Sequence, residues 1–321
     1  MTTPIPIDAS VFRPEAISSA TREFTAQLER TLAAEPRRTN MPEIRAAQAS
    51  GQMAFGPILR LDWGQDRTIP GLAGEIPLRV FVPDVVRGVY LHLHGGGHCI
   101  GSHDQQDPAL ARIATECQVA VASVGYRLAP EDPYPAGPDD CEAAALWLVK
   151  NAASEFGSDR LLIGGESAGA TLSAVTLLRL RDRHGFTGFR AANLTYGAYD
   201  FSLTPSAARW GDRYLVLSTP IAKWLIGMYL PGGSDQRDPD ISPLYADLSG
   251  LPPALFTVGT MDPLLDDTLF MYTRWLAAGN EAELAVYPGG VHAFDAFPTD
   301  LGREAIARTN AFFARAVAGP A

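Results

Sequence analysis

The 321-residue sequence predicts an α/β fold, in which a mostly parallel sheet is flanked by helices and carries a small helical cap. From about residue 76, short β-rich runs alternate with longer helical patterns, which is typical of a parallel sheet covered by helices. Two segments fall outside this alternation and predict the cap. Apolar residues make up 46% of the chain and charged residues 19%, as expected of a globular protein with a large core.

Seven β-rich runs are the predicted strands. In chain order they are IPLRVFV (76–82), GVYLHLH (88–94), QVAVASV (118–124), RLLIGG (160–165), AANLTYG (191–197), PALFTVG (253–259) and AELAVYP (282–288). Helical patterns lie between them, such as AGATLSAVTLLRLRDRHG after the fourth run. A last helix, at about 301–317, is predicted to close the fold.

The cap is predicted from residues 1–50 and 200–243. The first segment reads as helical with no strand beside it, and the second carries aromatic residues and leucines without strand–helix spacing. An insertion of about 40 residues between two strands is too long for an ordinary connection, and such segments are usually functional. The main α/β domain then comprises 51–199 and 244–321. Two unrelated surface decorations are the alternative interpretation.

Charge and cysteine content narrow the class of protein. The net charge of −10 argues against nucleic acid or an anionic membrane as partner, because both would repel the chain. Three cysteines are poor material for a disulfide framework and favour a reducing compartment. The sequence shows no signal peptide and no apolar run of membrane-spanning length. A soluble cytoplasmic protein is therefore predicted.

The stretch GGESAG (164–169) contains the pattern G-x-S-x-G between a predicted strand and a predicted helix. This strand–turn–helix context places the serine in a tight turn and raises its hydroxyl above the sheet edge. The start of the helix also favours negative charge that develops beside it. Ser167 is therefore the candidate nucleophile; the alternative is a serine that only caps the helix.

A serine hydroxyl needs a base, and the base needs an orienting acid. In this architecture the partners follow the serine in the order acid, then histidine, each in a loop after a strand. His292 follows the last predicted strand, whereas His184 lies at a helix end. Asp262 comes three residues after the preceding strand, and Asp266 and Asp267 lie further on, where acidic residues serve a helix N-terminus. Asp262 and His292 are the predicted partners of Ser167.

The stretch HLHGGGHCIGSH (92–103) permits three readings. A metal site would use its four histidines, but no other cluster of ligands supports it, and His92 fits a hydrogen-bonded core position. A phosphate cradle would need a lysine or arginine in place, and no lysine lies in 76–149. Consecutive glycines after a strand instead suit an oxyanion hole, with backbone N–H groups from Gly96, Gly97 and Ala168.

These motifs together resemble the hormone-sensitive lipase family of α/β-hydrolases, the bacterial family IV esterases. The likeness rests on HGGG (94–97), GESAG (165–169) and the Asp262…His292 pair, with further matches in YRLAPEDPYPAGPDDC (126–141), DPLLDD (262–267) and VHAF (291–294). It spans about residues 76–317. The resemblance implies the α/β-hydrolase fold and a carboxylesterase that cleaves short-chain acyl or aryl esters through an acyl-enzyme.

The resemblance also implies roles for other residues. His94 and Gly95 would support the oxyanion loop, and Tyr126, Arg127 and Glu131 would buttress the region below it. No metal or cofactor is implied; the partner is a small ester, and a homodimer is expected because homologues often dimerise. The chain departs from the family at two positions, since Glu166 replaces an aspartate or threonine and His98 replaces an aromatic residue. The candidate pocket residues are His98, Glu166, Phe201, Tyr214 and Trp224.

Two other functions use the same fold. An amidase or deacetylase would keep the three predicted catalytic residues but cleave a different bond, and the sequence does not separate it from an esterase. A small-molecule receptor on this fold typically has the histidine replaced. His292 is present in this chain, which favours an enzyme.

Overall fold

The structure is a computed structural model that describes residues 7–36 and 38–318. Parts of the predicted segments therefore lie outside the described residues: 1–6 and position 37 of the N-terminal segment, and 319–321 at the end of the main domain.

An eight-stranded sheet forms the centre of the molecule, with strand order β1-β2-β4-β3-β5-β6-β7-β8. The first two strands pair antiparallel, as do β2 and β4, and all the remaining pairs are parallel. The strands are β1 (Gln65–Gly71), β2 (Gly74–Phe81), β3 (Gly88–Leu93), β4 (Val119–Val124), β5 (Leu161–Glu166), β6 (Ala191–Thr195), β7 (Ala254–Met261) and β8 (Ala282–Val291). The predicted α/β-hydrolase fold is confirmed.

Helices cover both faces of this sheet. They are α1 (Ser19–Ala34), α2 (Met41–Ala49), α3 (Asp107–Cys117), α4 (Ala136–Phe156), α5 (Ala168–His184), α6 (Pro205–Arg209), α7 (Thr219–Tyr229), α8 (Leu265–Ala277) and α9 (Asp300–Ala318). One face packs against α4, α5 and α8, and the other packs against α3 and α9. The central strands β3, β4 and β6 are buried along their whole length, which explains their continuous apolar sequences.

The structure differs from the sequence prediction at several strand ends. Strand β1 was not predicted, because QDRTIPG buries only Ile69 and lies at the sheet edge with no apolar alternation. Strand β3 ends at Leu93, so that His94 belongs to the following loop. Strand β8 runs through Gly289 and Gly290 to Val291, since Gly290 packs directly on the backbone of Gly259 in β7.

The carboxyl ends of the parallel strands meet at one edge of the sheet, and the loops that leave them form the floor of a large cavity. The N-terminal helices and α7 lie over this edge and supply the opposite wall. Within the described ranges, no helix is long and apolar enough to cross a membrane.

Candidate active site

Ser167 occupies the sharp turn between β5 and α5. Its backbone has φ of 55° and ψ of −118°, an unfavourable conformation for a residue with a side chain, and its N–H donates to the carbonyl of Thr195 at 2.9 Å. Glycines flank the turn because a Cβ at Gly165 or at Gly169 would overlap the carbonyl oxygen of Leu93 in β3. The packing of this turn against the neighbouring strand therefore requires both glycines of the motif.

The three residues predicted to act together are hydrogen-bonded in a row. The Nε2 atom of His292 lies 3.0 Å from Oγ of Ser167, and its Nδ1 atom lies 2.9 Å from Oδ2 of Asp262. Because the carboxylate can only accept, Nδ1 carries the proton and Nε2 is free to accept the serine proton. The second oxygen of Asp262 accepts the backbone N–H of Leu264 at 2.8 Å, which fixes the buried carboxylate.

The oxyanion loop, residues 94–101, faces Ser167 from the end of β3. Gly96 and Gly97 adopt φ values of 122° and 58°, which favour glycine. No acceptor among the described residues hydrogen-bonds their N–H groups. The N–H of Ala168, at the first position of α5, has no acceptor within its helix. These three amides can therefore receive an oxyanion formed at Ser167.

His94 supports the oxyanion loop through stacking and hydrogen bonds. Its ring stacks on Tyr126 with centroids 4.2 Å apart, and the Tyr126 hydroxyl donates to the His94 carbonyl at 2.7 Å. The His94 Nδ1 donates to the Gly95 carbonyl at 2.8 Å. Burial lowers the pKa of His94 to about 4, so the ring is neutral at neutral pH and serves as a packed, hydrogen-bonded support.

The N-terminal segment also contacts the oxyanion loop, through a residue that was not predicted from the sequence. Arg45 of α2 donates to the carbonyls of Cys99 (2.9 Å) and Ala129 (2.7 Å) and pairs with both carboxylate oxygens of Glu131 at 2.9 Å. Glu131 thus acts on the region below the site through Arg45. Neighbouring Arg127 pairs instead with Asp140, at 2.9 Å.

The cavity above Ser167 has a volume of about 1420 Å³. All five candidate pocket residues border it: His98, Glu166, Phe201, Tyr214 and Trp224. Trp224, on α7, is the most exposed of them and lies at the rim. Another residue of α7, Leu225, lies so close to the oxyanion loop that a Cβ on Gly97 would be 2.6 Å from its Cδ1.

His98 borders the cavity but its side chain is almost completely buried. Its ring stacks on Tyr229 with centroids 4.0 Å apart and an interplanar angle of 13°, and Phe201 packs beside it. Neither ring nitrogen has a hydrogen-bond partner in the described part of the chain. Burial lowers the pKa of His98 to about 3, so that this histidine replaces the family's aromatic residue as a neutral ring.

Glu166 lies one residue before the nucleophile and points to the sheet face covered by α3. It accepts a hydrogen bond from Nε2 of His92 at 3.2 Å, while Nδ1 of His92 bonds Oγ of Ser123 at 2.9 Å. His92 is therefore the hydrogen-bonded core residue that the sequence predicted. Gln106 donates to the same oxygen of Glu166, Oε2, at 3.3 Å.

Two acidic residues after Asp262 have partners that the sequence did not indicate. Asp267 accepts the backbone N–H groups of Tyr199 (2.7 Å) and Asp200 (3.0 Å), and Asp266 accepts that of Ser206 (2.8 Å). Besides lying in the first turn of α8, they fix the segment that follows β6.

Tyr196 and Asp295, which also border the cavity, were missed in the sequence. The Tyr196 ring meets His292 edge to face at 4.9 Å, and its hydroxyl donates to Asp295 at 2.6 Å. A signal was available for both, because Tyr196 follows a central strand at the edge that carries Ser167, and Asp295 comes three residues after His292.

Comparison with known proteins places this chain in a family. A model of the α/β-hydrolase fold family matches residues 90–296. The carboxylic ester hydrolase LipN of Mycobacterium tuberculosis is 36% identical over 74% of this chain and 66% of its own length, slightly under two thirds. The carboxylesterase NlhH of the same organism is 38% identical over 74% of this chain and 76% of its own.

Solved structures agree with the sequence comparison. An esterase of Pyrobaculum calidifontis superposes with a TM-score of 0.84 at 31% identity, over 94% of this chain and 99% of its own. A hormone-sensitive lipase from a metagenome library superposes with a TM-score of 0.81 at 27% identity, over 92% and 98%. The chain belongs to the α/β-hydrolase fold family, within the hormone-sensitive lipase group that its motifs resemble.

Proposed function

We propose that this chain is a serine carboxylesterase that hydrolyses short-chain acyl and aryl esters through an acyl-enzyme. Carboxylic ester hydrolysis follows from its membership of the family and its likeness to LipN and NlhH, and the chain is an enzyme of that class. The observation that carries the mechanism is the row of hydrogen bonds from Asp262 through His292 to Ser167.

In the acylation step, Oγ of Ser167 attacks the ester carbonyl while Nε2 of His292 takes its proton. The negative charge of Asp262, 2.9 Å from Nδ1, stabilises the imidazolium that results. The alcohol leaves with the proton from His292. Water then attacks the acyl-enzyme with the same histidine as base, and the acid leaves Ser167.

The oxyanion formed in both steps is assigned to the N–H groups of Gly96, Gly97 and Ala168. The loop is preorganised for this role, because the positive φ values, His94 and Arg45 fix its backbone before substrate arrives. A removed donor of this kind costs about 3 kcal/mol of transition-state stabilisation in serine hydrolases.

The substrate class rests on the shape of the cavity beside the oxyanion loop. Leu225 closes over Gly97, which limits the room next to the scissile carbonyl and favours a compact acyl or aryl group. Together with α1 and α2, α7 forms the wall opposite Ser167. This arrangement supports the assignment of residues 1–50 and 200–243 as a cap.

Two further assignments belong to this proposal. Cys99, Cys117 and Cys141 are unpaired, which supports a reducing cytoplasmic location. A homodimer is expected from the family resemblance and would have twice the 34.4 kDa mass of the chain by light scattering.

The test is the initial rate of hydrolysis of p-nitrophenyl esters from acetate to laurate, with and without EDTA. The expected rate peaks at short chains, is unchanged by EDTA and falls at least about 10³-fold in Ser167→Ala. Ser154→Ala, an exposed serine on α4, is the matched control and should keep the wild-type rate. Loss of activity with EDTA but not in Ser167→Ala would indicate a metal enzyme, and turnover of anilides alone would indicate an amidase.

A further inference from the structure

Part of the cavity wall next to Ser167 carries oxygen-bearing side chains that the proposed hydrolytic steps do not use. We call it the acceptor wall, and it consists of Gln106, Glu166, Asn193, Tyr196 and Asp295. Glu166 directly precedes the nucleophile, and Tyr196 contacts the ring of His292. The wall therefore borders the reacting centre.

Two buried oxygens of this wall lack a donor. The Oδ1 atom of Asn193 and the Oε1 atom of Gln106 have no hydrogen-bond partner among the described residues. Asn193 is only 5% exposed, and its amide nitrogen donates to Thr195 at 3.2 Å, which leaves the oxygen free. Its neighbour across the strand pair, Gly164, has no side chain that could supply a donor. Buried polar atoms in native proteins are normally paired, so these two oxygens indicate a missing donor.

The charged groups of the acceptor wall likewise favour a hydrogen-bond donor. Asp295 accepts one hydrogen bond, from Tyr196, and Glu166 accepts from His92 and Gln106. No arginine or lysine in the described ranges forms a salt bridge with either carboxylate. Burial, reinforced by the charge of Glu166 and opposed by the Tyr196 hydrogen bond, raises the pKa of Asp295 to about 6. A group that donates hydrogen bonds would stabilise these carboxylates.

Other parts of the cavity lining are apolar, among them Leu217, Ile221 and Leu225. A substrate with one apolar part and one donor-bearing part would match both kinds of lining. We propose that the acceptor wall binds a hydroxyl or ammonium group on the acyl or alcohol part of the substrate, so that the enzyme prefers such esters to their hydrocarbon counterparts. This proposal rests on the proposed function, because the wall acts only on a substrate held at Ser167.

The experiment uses esters that differ in one terminal group. Ethyl butyrate, ethyl 3-hydroxypropanoate and ethyl β-alaninate end in CH₃, OH and NH₃⁺ on chains of equal length. Propyl acetate and 2-hydroxyethyl acetate make the same comparison on the alcohol side. The kcat/KM values are measured by pH-stat at pH 7.5 and divided by the rate of hydroxide-catalysed hydrolysis, which removes differences in intrinsic reactivity.

We expect at least one donor-bearing ester to exceed its hydrocarbon match by about tenfold, the factor that one hydrogen bond to a buried acceptor supplies. Asn193→Leu, which keeps the side-chain size but removes the oxygen, should return this ratio towards one. Asn151→Leu on α4, outside the cavity wall, is the matched control and should keep the wild-type ratio. Asp295→Asn should lower the preference for the ammonium ester more than that for the hydroxyl esters.

The proposal is overturned if the normalised kcat/KM of the hydrocarbon esters equals or exceeds that of the donor-bearing esters in both series. This comparison uses the wild-type enzyme alone, so it holds even if Asn193→Leu does not fold. An unchanged ratio in a folded Asn193→Leu would also overturn it. The proposed function is tested separately: if p-nitrophenyl acetate is hydrolysed by wild type and not by Ser167→Ala, the esterase assignment holds whatever the ratios show.

Discussion

Replacing Gly97 by alanine tests whether the oxyanion loop works as its geometry indicates. The new methyl group would lie 2.6 Å from Cδ1 of Leu225 on α7, whereas carbon atoms in contact are about 3.5–4.0 Å apart. The two groups must therefore separate by about 1 Å. The φ of 58° at Gly97 adds a backbone cost of roughly 1–2 kcal/mol for any residue with a Cβ.

The loss of activity follows from the displaced amide. Donors in an oxyanion hole act at about 2.7–3.1 Å, so the share of this separation that falls on the loop backbone rather than on the Leu225 side chain, together with the strained φ, moves the Gly97 N–H away from its hydrogen-bonding position. Loss of one such donor lowers kcat about 10²–10³-fold. Leu225→Ala removes the opposing atoms, so the double variant Gly97→Ala/Leu225→Ala should regain about tenfold or more. The kcat that the double variant still lacks relative to wild type measures the effect of the backbone strain at position 97.

The assay is kcat on p-nitrophenyl acetate for the two single variants and the double variant, with the thermal unfolding midpoint as a check on folding. Gly96→Ala is the comparison, because its Cβ would overlap the carbonyl oxygen of Ile100, a backbone atom that Leu225→Ala cannot relieve. The reasoning fails if Gly97→Ala keeps more than about a third of wild-type kcat, or if Leu225→Ala rescues both glycine variants equally.

Three further predictions concern the support of the site. Asp262→Asn should lower kcat about 10⁴-fold with little change in KM, because the amide no longer fixes the histidine tautomer; a kcat within about tenfold of wild type would contradict the assigned role. In the folded state His94 and His98 stay neutral down to pH values of about 4 and 3, whereas in the unfolded chain they protonate near pH 6.5. As the pH falls from about 6 to 4.5, each of them should therefore lower the free energy of unfolding by about 1.4 kcal/mol per pH unit. In urea titrations His98→Phe should remove one histidine's share of that slope, and an unchanged slope would refute the burial argument. Arg45→Met should release α2 from the oxyanion loop, which raises the rate at which a protease cuts α2 and lowers kcat/KM. Glu131→Gln, at an exposed carboxylate, should have a much smaller effect on both.

The parts of this molecule that follow local rules could be predicted from the sequence. The buried parallel strands are continuous apolar runs, and the turn around Ser167 needs glycines on both sides, so that both leave a readable pattern. Strand β1 does not: as an edge strand with one side in solvent, it needs few apolar residues, and Asp66 and Arg67 resemble loop residues. Strand ends also depend on contacts with neighbours, as Gly290 on Gly259 shows.

Features that depend on distant pairs were not predictable from one sequence. Arg45 is one of many arginines in the chain, and its contacts with Cys99 and Ala129 become visible only when α2 lies on the loop. The acceptor wall is a similar case, because Asn193 and Gln106 are ordinary polar residues until the sheet and α3 bring them to the wall of the same cavity. The motif draws attention to His98 by its position, but its surroundings could not be predicted, because Tyr229, on which it stacks, belongs to α7.

The contacts of the N-terminal helices have a consequence for the order of events during synthesis. Ile17 and Thr21 pack where a side chain on Gly289 of β8 would lie, and Arg45 binds the carbonyls of Cys99 and Ala129. These helices leave the ribosome before the surfaces that they cover, and β8 emerges near the end of translation. The packing of α1 on β8 can therefore form only when synthesis of the chain is nearly complete, whereas α2 can bind its partners earlier. The part of the cavity wall that α1 supplies therefore depends on one of the last segments of the chain to be made.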